Sequence, residues 1–351
     1  DIMKNIKIKY LLPFFAMALL VLGVFTSCDD DSAGSSSGAL AITSVAKSVE
    51  GDLTSVTQGD PKNYYIIRGS GFLSTQKIYF NDFDTYFNPT LITDTEIFVL
   101  IDEKTPYANA SNELKVVTKN GTITYPFVVS PPSPNFKSYN SINAADGDIV
   151  IIYGAFFLNP KVTFGTTSAT VISSTLEEIK VKVPAGSAGT YPTVTTISGS
   201  STSTDAMGTA IYDDIFYGID GVGGWGINST DIANSVSSEV AQGQKAIKVD
   251  ITPWSGFQID MWANGGHPVP AKATGIKFQM KLKSAAKMRV IVNGDWGHEV
   301  WFNLTTDYAT YVVKWSDLGL TAAPATIGQI VFGSDGTATN FYIDNLGFTL
   351  K

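Results

Sequence analysis

The chain of 351 residues has one cysteine and two histidines, and its first two hundred residues contain no tryptophan. Each scarcity excludes something. A lone cysteine cannot close an internal disulfide. His267 and His298 do not stand at the spacings that a Ser/His/Asp triad or a zinc site requires. Lys and Arg total 24 against 32 Asp and Glu and form no basic patch, which argues against nucleic acid as a partner and mildly against acidic polysaccharides. Apolar runs of helical period are scarce. Short β-branched runs broken by Gly, Pro, Asn and Asp are abundant instead, and they point to an all-β protein of two or three sandwiches.

The one long apolar run is at the front. Met3 reads as the start; Lys4, Lys7 and Lys9 precede 15 apolar-rich residues from Leu11 to Phe25, too short for an ordinary membrane span and typical of a signal peptide. The run ends at Thr26-Ser27-Cys28, which resembles a bacterial lipobox, so residues 1–27 are expected to be removed and Cys28 lipidated. Asp29-Asp30-Asp31 resembles the acidic export tag of Bacteroidetes surface lipoproteins, and residues 28–40 read as a flexible tether rich in Ser and Gly. The processed chain would carry 21 basic and 31 acidic residues.

Two segments behind the tether repeat one another. Ile66-Ile67-Arg68-Gly69-Ser70-Gly71-Phe72 is echoed 85 residues later by Ile151-Ile152-Tyr153-Gly154-Ala155-Phe156-Phe157. Lys77–Asn81 and Lys161–Gly165 follow at an offset of 84, and Ile97 and Ile179 at 82. Order is kept while loops shorten, as in a domain duplication. The glycines permit a left-handed turn or a close backbone approach, and the following Phe would plug a sandwich. The pattern resembles the immunoglobulin-like TIG (IPT) domain, although the second copy has Phe156 where the second glycine belongs. Residues 41–130 and 131–206 are thus expected to form two small sandwiches, joined by a stiff connector at Pro131, Pro132 and Pro134. Tyr64, Tyr65, Tyr79, Tyr86 and Phe87 read as core or packing residues, and the pair of sandwiches as a spacer.

All six tryptophans fall in residues 207–351. An indole offers the flat apolar surface that complements the C–H face of a sugar ring, and flanking amides and carboxylates complement its hydroxyls. Strand phase separates these residues from the core. Phe257, Ile259 and Met261 share one face, against Gln258, Asp260 and Trp262. Val300, Phe302 and Leu304 oppose Glu299, Trp301 and Asn303, while Met288, Val290 and Val292 oppose Arg289 and Asn293. Trp254 and Trp296 lie in Gly-rich turns, Trp315 shares its phase with core residues, and Trp225 stands evenly between the two roles. Trp262 and Trp301 are therefore expected as strand-borne platforms and Trp254 and Trp296 as turn-borne ones. Gln258, Asp260, Arg289, Asn293 and Glu299 would hydrogen-bond hydroxyls.

This C-terminal segment, ending in Tyr342-Ile343-Asp344-Asn345, resembles the jelly-roll, carbohydrate-binding-module-like domain of Bacteroidetes surface glycan-binding proteins of the B type. The order of lipobox, acidic tag, TIG-like repeats and Trp-rich sandwich resembles that family over the whole chain. The resemblance implies a lipid-anchored protein of the outer-membrane surface. It would bind a neutral β-glucan-type polysaccharide such as xyloglucan, without cleavage, beside a SusC/SusD-like uptake pair encoded in a polysaccharide-utilisation locus. A glycoside hydrolase is the first alternative, but residues 207–351 hold only two glutamates, Glu239 and Glu299, with Glu299 and Asp260 the imaginable carboxylate pair. A protein-binding adhesin is the second. Asp213, Asp214 and Asp344 could offer oxygen ligands to a Ca²⁺ ion; the favoured reading has no metal and no cofactor.

Overall fold

A computed structural model describes residues 38–228, 232–237 and 239–351. Cys28, the three aspartates behind it and the tether to residue 37 lie outside the described residues. The chain is all-β and divides into two compact units between Val129 and Ser130.

The first unit is a sandwich of a three-stranded sheet (Ala41–Lys47, Tyr64–Ser70, Glu96–Leu100) and a four-stranded one (Phe83–Thr85, Thr75–Phe80, Glu113–Thr118, Gly121–Pro126). Alternation sends Tyr65, Ile67, Ile97 and Val99 into a core that Phe72, Phe80 and Phe127 complete. A Cβ on Gly69 would stand 1.8 Å from the Ala41 carbonyl oxygen and 2.7 Å from the Phe72 ring. Only glycine lets that strand approach while the phenylalanine plugs the end.

The second unit begins with the repeat of this sandwich. Asn135–Tyr139, Ile149–Ala155, Glu178–Lys182 and Thr170–Ser174 form one sheet; Thr167–Ser168, Lys161–Phe164, Pro192–Thr196 and Gly199–Thr202 form the other. Gly154 meets Asn135 and Phe157 as Gly69 meets Ala41 and Phe72. Phe156, which replaces the expected glycine, keeps the left-handed turn, with φ 62° where Gly71 has 79°. The second copy thus holds the same turn with a bulky residue, against the steric preference of L-residues.

The C-terminal domain packs two antiparallel sheets over one core. Ile232–Val236, Ala246–Ile251, Thr339–Leu350, Ala273–Leu282 and Ala309–Lys314 make the first, with Ala210–Tyr212 paired to Thr339–Leu350. Gly221–Trp225, Gly256–Asp260, Gln329–Ser334, Ala286–Val292 and Val300–Leu304 follow one another across the second. Phe257, Ile259, Met288, Val290, Phe332, Phe278 and Phe341 meet between them. Trp315 belongs to this core: it is 5% exposed and its indole N–H donates to the Ala273 carbonyl at 2.7 Å.

The C-terminal domain and the sandwich before it share a buried polar seam. Lys277, on the outer phase of the first sheet, forms an ion pair with Asp205, and both are almost wholly buried. Asp205 also accepts from Asn345 Nδ2 at 3.0 Å, and Lys277 donates to the Thr204 carbonyl at 2.9 Å. Asn143 exchanges two hydrogen bonds with the Ala210 backbone, at 2.8 and 3.0 Å. The aspartates considered as Ca²⁺ ligands accept from backbone amides. Asp344 accepts from Ala241, Gln242 and Asn345, Asp213 from Ile142, and Asp214 from Gln244 and Lys245. Burial pushes the Asp344 carboxyl up to about 7, against the downward pull of its three amides.

Candidate functional site

The outer face of the five-stranded sheet follows directly from its register. Trp225 pairs with Gly256, Gly256 with Gly333, Gly333 with Arg289, and Arg289 with Trp301. One row across all five strands therefore reads Trp, Gly, Gly, Arg, Trp. The bulky residues lean over the small ones. A Cβ on Gly256 would meet the Trp225 ring at 2.1 Å, and one on Gly333 would meet the Arg289 side chain at 3.0 Å.

A turn closes the row. Trp296–His298 form a 3₁₀ turn capped by Asp295, whose carboxylate accepts from the Gly297 amide. His298 lies 2.9 Å from the same carboxylate, and that contact holds the Asp295 carboxyl below its usual range. The turn brings Trp296 to 5.5 Å from Trp225, edge to face at 62°. The Arg289 guanidinium lies 5.0 Å from the Trp296 ring and 5.4 Å from the Trp301 ring, within cation–π range of both. Trp225, Trp296, Arg289 and Trp301 thus form one continuous layer. Beside it, Val331 and Ile291 also have outward phase, yet both are fully buried and neither belongs to the sandwich core. They form the neighbouring outward row of the same sheet.

The polar residues fix the layer more than they face solvent. Glu299 accepts from Arg289 Nη1 with one oxygen and from the Trp301 indole N–H with the other, each at 2.8 Å. The Trp225 N–H donates to the Trp254 carbonyl at 2.9 Å, which places Trp254 beside the layer. Trp254 itself is 67% exposed, has φ 60°, and rests on Gly336, where a Cβ would meet its ring at 2.8 Å.

One expectation needs correction. Trp262 is not strand-borne: the strand ends at Asp260, and Trp262 has helical dihedrals at the head of the 3₁₀ turn Ala263–Gly265. Its ring lies on Gly328, at 2.0 Å from a notional Cβ, beyond the end of the sheet and outside the central layer. Asn293 shares the outer phase, but its Oδ1 is occupied by the Gly328 and Gln329 amides at 2.7 and 3.2 Å, so its carbonyl holds a strand end. Asp260 accepts from Gln329 Nε2 at 2.8 Å. Gln258 lies half-buried on the same face, one residue pair in from Asp260. Trp254, Trp262, Trp296 and Trp301 are 41–67% exposed.

Gln329 and the four glycines are what the sequence reading left out, and Trp225, which it held evenly between two roles, belongs to the layer. Their signal was available. Gly256 sits in phase with Gln258 and Asp260, and a glycine inside a strand marks a close approach by something else, which here is an indole. Alanine at Gly256 is expected to drive Trp225 off its seat, at a cost of about 1–3 kcal/mol from overpacking. Near-ultraviolet circular dichroism should register the displaced indole while the far-ultraviolet β spectrum stays unchanged.

Comparison with known proteins agrees with this architecture. Residues 134–209 match the IPT/TIG domain family, and the match falls on the copy that carries Phe156. No curated protein matches the sequence. Among solved structures, the surface glycan-binding protein PbSGBP-B from Prevotella bryantii aligns with 90% of this chain and 99% of its own, at 16% identity and a TM-score of 0.51. The chain has the fold of a surface glycan-binding protein. SGBP-B from a complex xyloglucan utilization locus in Bacteroides uniformis aligns with 88% of this chain and 99% of its own, at 14% identity and a TM-score of 0.34. A family 29 carbohydrate-binding module complexed with cellulohexaose aligns with 40% of this chain and 89% of its own, at 15% identity and a TM-score of 0.28.

Proposed function

We propose that this chain is a non-catalytic, lipid-anchored surface protein of the outer membrane that captures a neutral β-glucan-type polysaccharide, such as xyloglucan, for a SusC/SusD-like uptake system. The observation that carries the reading is the layer of Trp225, Trp296, Arg289 and Trp301, with Trp254 beside it, spread over an open sheet face. Flat apolar rings edged by donors and acceptors suit a chain of sugar rings. An acidic protein suits a neutral one. The fold shared with a surface glycan-binding protein supports the same conclusion. Cys28 would carry the anchor and Asp29, Asp30 and Asp31 the surface address.

The way the carboxylates are used supports the non-catalytic reading. A glycosidase needs one carboxyl as acid and another as base or nucleophile across the scissile bond. Both oxygens of Glu299 already accept from Arg289 and Trp301, and Asp260 accepts from Gln329. Glu299 thereby positions the Trp301 ring and the guanidinium beside it, and Asp260 ties two neighbouring strands together.

Native affinity electrophoresis through gels containing neutral β-glucans tests the reading. Retardation by at least one glucan is expected, with no new reducing ends after prolonged incubation. Unretarded migration in every gel would favour a protein-binding adhesin, and released reducing ends a hydrolase.

A further inference from the structure

The first sandwich has an aromatic cleft of about 300 Å³. Tyr64 and Phe98 form one wall, stacked with ring centroids 4.7 Å apart and planes 14° apart. Both lie on the outer face of the three-stranded sheet, since Tyr64 pairs with Leu100 and Ile66 with Phe98 while Tyr65, Ile67, Ile97 and Val99 face the core. The segment from Tyr86 to the short 3₁₀ turn Pro89–Leu91 supplies the other side. Tyr86 is 82% exposed, against the expectation that these tyrosines are packing residues.

Polar groups stand among the rings. Asn88 Oδ1 is held by the amide and hydroxyl of Thr90, at 3.1 and 2.9 Å, which leaves its –NH₂ as the donor to the cleft. Asp102 uses one carboxylate oxygen to accept from the Lys104 amide at 2.8 Å and keeps the other. The lining therefore combines a flat double ring, a projecting tyrosine, an amide donor and a carboxylate acceptor.

The duplication supplies the control. In the second sandwich, Ile149 pairs with Lys182 and Ile151 with Lys180, so Ile149 stands where Tyr64 does and Lys180 where Phe98 does. Where the first copy has the segment from Tyr86 to Leu91, the second has the strand Thr170–Ser174. The same sandwich folds around the same plug without any of these aromatics, so the fold does not require them.

We propose that this cleft is a second carbohydrate-binding site, for the same neutral β-linked glucan chains that the C-terminal face takes. The inference rests on the function proposed above and deepens it: the first sandwich is a binding domain and not only a spacer. Two sites on one chain would engage one long polysaccharide twice, and avidity would then exceed the affinity of either site.

Calorimetric titration of the intact protein with xyloglucan oligosaccharides and with cellohexaose tests this. Two equivalents are expected to bind per chain. Tyr64→Ile with Phe98→Lys installs the residues of the second sandwich, which that fold already accommodates, and Tyr86→Ala removes a solvent-exposed ring. Either change should bring the stoichiometry to one with the melting temperature kept. Trp254→Ala with Trp296→Ala should bring it to one from the other side. A single equivalent that survives the cleft substitutions and vanishes with the tryptophans would overturn this inference and leave the proposed function standing. Failure of the intact protein to bind any of these sugars, or any glucan in the gels, would overturn both.

Discussion

Alanine at Trp296 is expected to weaken glucan binding at least tenfold while the protein melts nearly as before. Trp296 is the hub of the layer: it touches Trp225 at one side and the Arg289 guanidinium at the other, and half its surface is open. Removing an aromatic anchor from a binding surface costs about 2 kcal/mol or more, and about 1.4 kcal/mol is a factor of ten. Trp315 is the matched opposite. It is buried in the sandwich, with its N–H committed to Ala273, so Trp315→Ala should cost roughly 3–5 kcal/mol of folding stability. Measuring affinity and melting temperature on both variants separates the roles. Undiminished binding by residues 130–351 carrying the Trp296 change would move the site away from this layer.

The second large effect is expected at the seam between the repeat sandwich and the C-terminal domain. Asp205→Ala leaves Lys277 as a charge sealed from water with no carboxylate beside it, and Asn345 loses its acceptor as well. Breaking a buried pair by removing one partner costs about 3–5 kcal/mol. Chemical denaturation of residues 130–351 should register that loss, and adding Lys277→Met should recover most of it, because an apolar side chain of similar length needs no counter-charge. Recovery would show that the seam owes its strength to satisfied charge and not to the ion pair as such. No recovery would show that Lys277 is needed for its bond to the Thr204 carbonyl.

Much of this architecture could be read from residues alone, and the limits are instructive. Alternation in Phe257–Met261, Met288–Val292 and Val300–Leu304 assigns the core face correctly, because a side-chain period of two leaves only two choices per strand. Gly69 and Gly154 fit their close approaches for the reason their motif suggested. Phase fails where a strand stops. Trp262 continues the alternation on paper, but the chain turns at that residue, and no local pattern marks the last ladder bond. Phase also says nothing about what lies above a face. Ile291 and Val331 point outward and are buried all the same, so something other than the sandwich core covers them. That cover, the pairing of Glu299 with Arg289, and the stack of Tyr64 on Phe98 are all contacts between segments distant in sequence or held by a loop.

On the proposed function, the glycine seats under Trp225, Trp254 and Trp262 bear on the kinetics of capture. An indole pressed on bare backbone has few rotamers left to lose when a ligand arrives. Most of the ordering cost of the complex then falls on the polysaccharide, and the protein meets it already arranged. Encounter needs no prior rearrangement of the surface, so related glucans should arrive at similar rates and be told apart by how long they stay.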